Sequence, residues 1–119
     1  LVAVCVSGSK VCGASSGDSA AILLSAADPQ QLTADQIKNP PVGSGVAEFM
    51  PFAAPLAVPW LVMAMSDGVW KYAGWDPIRS VVVRDDGQAT IESLKESARL
   101  PGSGEFHDDF TLVVIKNST

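Results

Sequence analysis

A chain of 119 residues, 47% of them hydrophobic, has room for one domain and no more. Its formal net charge of −5 argues against nucleic acid, which calls for a basic stripe, and against attraction to anionic membranes. The same charge repels a phosphorylated substrate unless bound cations reverse the local field. The N-terminus carries no basic-then-apolar leader pattern, so a cytoplasmic location is the expectation.

Residues 2–6 and 10–14 alternate in the manner of a hairpin closed by Gly8-Ser9. That turn sets Ser7 against Lys10, Val6 against Val11, and Cys5 against Cys12. The facing cysteines fall on a hydrogen-bonded pair, and the reading is two reduced thiols rather than a bridge. Two cysteines alone cannot supply the four ligands of a structural zinc site. Residues 19–24 form the next strand after the Ser15-Ser16-Gly17 turn, and Asp28-Pro29 ends it. Residues 32–59 show no clean period and are rich in proline, which predicts loop with short helical turns. The charge-free run 49–65 has nearly the length of a membrane span, but Pro51, Pro55 and Pro59 suit a helix poorly. It reads as a buried proline-rich loop entering a short strand at 61–65, with partner binding as its alternative use.

Asp76-Pro77 predicts a helix start, Asp as N-cap and Pro at the first helical position, running to Arg84 and stopping at Asp85-Asp86-Gly87. A second helix over about 89–100 places Ile91, Leu94 and Ala98 on one face. Glu92, Lys95, Glu96 and Arg99 form its solvated face. Residues 111–116 make the last strand. Strands, loop, strand, two helices and a strand describe an α+β fold rather than alternating βαβ units.

Three acidic motifs punctuate these elements: Gly17-Asp18-Ser19, Ser66-Asp67-Gly68 and Asp108-Asp109-Phe110-Thr111. The last two stand at the edges of apolar runs. Aspartates at strand ends are a common way for a sheet to hold hard divalent cations, because Mg²⁺ and Mn²⁺ take oxygen ligands in octahedral geometry. The simpler reading of each is a turn or capping residue.

Taken in order, these motifs resemble the C-terminal half of the protein phosphatase 2C-like (PPM-type) metal-dependent phosphatases. Residues 12–24 resemble the family's strand–GDS–strand segment, and Pro41-Val-Gly-Ser-Gly45 the glycine segment after it. Ser66-Asp-Gly-Val-Trp70 matches its SDG-apolar-Trp motif. Residues 108–115 resemble its closing Asp-Asn/Asp-x-Thr strand. The resemblance implies part of a four-layer αββα sandwich with antiparallel sheets. It also implies that the chain is a fragment whose N-terminal half, with its Asp-Gly-His-Gly motif and phosphate-binding Arg, is absent.

By the same resemblance, Asp67 and Asp108 are metal ligands in a site that takes two Mg²⁺ or Mn²⁺ ions in the complete domain. Asp18, Gly68 and Asp109 are further candidates: Asp18 for a weaker third ion, Gly68 for the sharp turn after the ligand, Asp109 for orienting a ligand or its water. A one-residue slip would exchange Asp108 and Asp109. Lys71 stands where many relatives carry an acid, which weakens the case for a third ion. His107 adjoins the proposed ligand, and Trp70 and Trp75 read as core anchors. The implied activity is hydrolysis of phosphoserine or phosphothreonine in a phosphorylated protein substrate by a metal-activated water, with no catalytic residue in this half and a complementing N-terminal half as partner. The rival reading is a catalytically inactive phosphatase-like interaction module.

Overall fold

The computed structural model describes residues 1–117. Two antiparallel sheets carry the fold. The first contains β1 (Val2–Ser7), β2 (Lys10–Ser15) and β5 (Met50–Pro55), in the order β1-β2-β5. The second contains β3 (Ala20–Leu24), β4 (Gln30–Gln31), β6 (Trp60–Met65) and β7 (Leu112–Asn117), in the order β4-β3-β6-β7. Three helices complete it: α1 (Asp67–Tyr72), α2 (Trp75–Arg79) and α3 (Gly87–Ala98).

The two central strands of the larger sheet are buried on both faces, and their period of two sorts the side chains. Ala20, Ile22 and Leu24 of β3, with Leu61, Met63 and Met65 of β6, face the helices and pack with Val69, Ile78 and Leu94. Ala21, Leu23, Trp60 and Val62 face the smaller sheet and meet Val11, Ala54 and Leu56. Val2, Val4, Val6 and Phe52 close that second core from the other side. The described residues therefore stack as helices, sheet, sheet. A helical layer on the outer face of the smaller sheet, which a four-layer sandwich requires, is not among them.

The hairpin forms in the expected register, with Cys5 opposite Cys12 and both thiols free. Strands β3, β6 and β7 lie where the apolar runs place them. Three expectations need correction. Residues 50–55, read as loop, form a strand beside β2. That strand is at the sheet edge, where the missing N–H groups of Pro51 and Pro55 remove no ladder bond. The helix expected at Asp76-Pro77 is α2, short and started differently: Gly74 is its N-cap, Asp76 and Pro77 sit in its first turn, and it ends at Arg79 rather than Arg84, while α1 ahead of it has no counterpart in the sequence reading. The β-branched run Val81-Val82-Val83 that follows is poor helix material. The second helix begins at Gly87, and Thr90, Leu94 and Ala98 are its buried residues. The two-residue strand β4 carries no apolar pattern and was not expected. No helix among the described residues is long and apolar enough to cross a membrane.

Candidate functional site

Strand β6 ends at Met65, and α1 starts two residues later at Asp67 with Ser66 as N-cap. Ser66 does not cap the helix with its side chain. Its hydroxyl instead donates to the Asp109 carbonyl (3.1 Å) and accepts from the Thr111 N–H (3.0 Å). The backbones join as well, Ser66 N–H donating to the Thr111 carbonyl at 2.9 Å. Gly68 lies so close to this segment that an added Cβ would stand 2.0 Å from the Asp109 carbonyl oxygen. No side chain fits there. Thus the Ser66-Asp67-Gly68 corner and the Asp108-Asp109 segment, more than 40 residues apart in the chain, are locked backbone to backbone.

The third acidic motif joins through a tryptophan. Trp70 Nε1 donates to the Asp18 carbonyl at 2.8 Å, and the Trp70 ring stacks on Trp75 with centroids 5.9 Å apart. Both tryptophans are only partly buried against the helix-side core. Trp70 is thus more than the core anchor its sequence context suggests: it holds the Gly17-Asp18-Ser19 turn against α1.

The structure brings together the backbones of all three motifs and leaves their carboxylates in different settings. Asp67 is half-buried and its Oδ2 is 2.9 Å from the Lys71 ammonium, one helical turn on. The hydrogen bond from Lys71 holds the Asp67 carboxyl below the usual carboxylate range, helped by that ammonium's charge and by contacts with Asp18 and Gly68, against a smaller opposing effect of burial. Lys71 is raised in turn, chiefly by Asp67, with Asp18 adding to the effect. Asp18 also reaches Lys38, at 3.5 Å. Asp108 is exposed, and its Oδ1 accepts from the N–H of Asp109 at 2.7 Å. With Asp109 it lines an open groove of about 600 Å³ together with Phe106, His107, Phe110 and Lys95. His107 rests against Tyr72 of α1, ring centroids 4.6 Å apart.

These donors suit a hard divalent cation in chemistry: carboxylate oxygens, with a glycine turn that admits the neighbouring backbone. In number they make part of a site. No group of three or more His, Cys, Asp or Glu side chains among the described residues could hold an ion alone. Asp67 is already paired with the Lys71 ammonium and Asp18 with Lys38. Sequence reasoning missed the roles of two residues: Ser66, which ties the corner to Asp109 and Thr111, and Lys38, which pairs with Asp18. Ser66 sits inside the quoted SDG motif, and its place just after the β6 run was the available signal. Nothing in the sequence flags Lys38.

No protein-family model matches the sequence. No curated protein matches it either. The fold does have counterparts among solved structures. The phosphatase domain of the cell fate determinant SpoIIE from Bacillus subtilis, in a Mn-presoaked form, superposes with a TM-score of 0.77 at 18% identity. That alignment covers 100% of this chain and 56% of that one. A second structure of the SpoIIE phosphatase domain gives a TM-score of 0.71 at 15% identity, covering 100% and 58%. The chain therefore spans little more than half the length of these structural neighbours and shares their fold.

Proposed function

We propose that this chain is part of a metal-dependent serine/threonine protein phosphatase of the PPM type, acting on phosphoprotein monoesters with Mg²⁺ or Mn²⁺. One observation carries the reading: the three acidic motifs expected at such a centre converge at one end of the sheet pair, through Ser66, Gly68 and Trp70. The likeness in fold to a phosphatase domain supports it.

Asp67 and Asp108 would hold the cations, with Asp18 beside Asp67. When bound, the cations activate the attacking water and neutralise charge on the phosphoryl group. The chain's own residues do the positioning. Ser66 fixes the start of α1 against the Asp109–Thr111 segment. Gly68 lets the two backbones touch. Trp70 keeps Asp18 on the same side. The Lys71 hydrogen bond lowers the Asp67 carboxyl and so favours the ionised form that a ligand needs. A complementing N-terminal half would supply the remaining ligands and the grip on phosphate. A domain containing this chain should release phosphate from a phosphoserine peptide only with Mn²⁺ or Mg²⁺. Asp67→Ala should abolish that release, and an unaffected rate would sink the assignment.

The Lys71–Asp67 ion pair favours a second reading, in which the ammonium stands permanently in place of a cation and the domain is an inactive interaction module. Metal binding separates the two.

A further inference from the structure

A second site lies where the two sheets part, next to the Gly17-Asp18-Ser19 turn. Strand β4 is the edge of the larger sheet and β5 an edge of the smaller one. Between them opens a cleft of about 310 Å³, walled by residues 30–36 and 50–53 and floored by Ser15. That volume is at the small end of ligand pockets. Its lining is polar, which sets it apart from the apolar core behind it.

Two buried polar atoms in this lining have no hydrogen-bond partner among the described residues: Ser15 Oγ and Gln36 Oε1. Ser15 is 1% exposed. Its position on β2, in step with the inward-facing Val11, turns its hydroxyl between the sheets. Leaving such groups unpaired is costly, so a fold that keeps two in one cleft calls for an explanation.

The wall that carries them is rigidly held. Leu32 N–H donates to the Ala21 carbonyl, Ala21 N–H to Thr33 Oγ1, and Gly17 N–H to the Ile37 carbonyl. Gln36 Nε2 donates to the Ser19 carbonyl at 2.7 Å. This last bond fixes the amide orientation and leaves Oε1 as a pure acceptor without a donor in the cleft wall. Asp35 is the one charged residue in the lining, and no Lys, Arg or His is present. An anion finds no counter-charge here. A cation with several N–H groups finds an amide oxygen, a hydroxyl and a carboxylate on a preorganised frame.

We infer that this cleft binds a guanidinium or alkylammonium group, with Gln36 Oε1 and Ser15 Oγ as acceptors and Asp35 at the mouth. The group belongs either to a small organic cation or to an Arg side chain of a peptide. The inference does not depend on the phosphatase reading, and none of its residues belongs to the acidic site.

The test is titration of the chain with agmatine, followed by amide chemical shifts in ¹H–¹⁵N spectra, in the parent, in Ser15→Ala and in Gln36→Leu. Saturable shifts confined to residues 30–36 and 50–53, weakened at least about tenfold in either variant, are the expected result. A peptide with a central Arg, run alongside, distinguishes the sources: tighter binding than agmatine assigns the cleft to a peptide, and weaker binding to a free cation. Ser15→Ala removes an unpaired hydroxyl and should leave the fold intact, so its dispersed spectrum is the control. Absence of saturable shifts in the folded parent overturns the proposal. So does binding unchanged in both variants, or an equal response to acetate.

Discussion

The two ends of the acidic site are built in opposite ways. The Ser66-Asp67-Gly68 corner joins a strand buried on both faces to a helix, and the Ser66 N–H and carbonyl are both bonded, to the Thr111 carbonyl and the Val69 N–H. The segment carrying Asp108 is a largely exposed loop between α3 and β7, held by the corner and by Phe110, which packs against the helix-side core. A rigid sheet thus positions one carboxylate directly and the other by a clasp. Precision at Asp108 is borrowed from Ser66 and Gly68, and should be lost when either is changed while Asp67 stays in place.

The largest effect is expected behind the corner. Met63 is fully buried in the helix-side core. Met63→Ala should cost about 2–5 kcal/mol in urea unfolding and loosen both regions together. A smaller loss would mean that the core collapses to fill the space. Gly68→Ala attacks the contact itself: the new Cβ meets a backbone carbonyl, which cannot rotate away as a side chain would. A loss of about 1–3 kcal/mol is expected, with amide shifts changing at residues 108–111 more than in β3. An unperturbed loop would show that the two regions are not in contact. Ser66→Ala removes two hydrogen bonds that bridge them and should cost about 1–2 kcal/mol, seen also as faster amide exchange at Thr111.

The smallest effect sharpens the comparison through charge. Asp67 is held low mainly by Lys71, whereas the Asp108 carboxylate is exposed and bonded only to the neighbouring Asp109 N–H among the interactions described. A carboxyl lowered on folding adds stability that is present above its unfolded pKa, about 4, and is lost as pH falls through the lower folded value. Lys71→Met should therefore raise the Asp67 titration midpoint in side-chain NMR and change little else. A midpoint that does not move would deny the ion pair.

Much of this arrangement was legible before any coordinates. The hairpin register followed from Gly8-Ser9, since a two-residue turn fixes every pair behind it. β6 and β7 were legible because unbroken apolar runs ended at acidic residues. β5 was not, because Pro51 and Pro55 erase the strand signal everywhere except at an edge, and edges are defined only by the assembled sheet. The acidic motifs could be found in the sequence, but their convergence could not. It rests on Ser66 and Trp70 bonding to backbone carbonyls far along the chain, and backbone acceptors leave no mark on residue type. The polar cleft was invisible for a related reason: Ser15 and Gln36 are ordinary residues until two sheet edges enclose them.

The account turns on whether Asp67 is a metal ligand. Calorimetric titration with Mn²⁺ of a folded domain that joins this chain to its complementing half, beside Asp67→Asn, tests that directly. Saturable binding that is lost in the variant is the predicted result. No binding in the folded domain, or binding unchanged in Asp67→Asn, would contradict it.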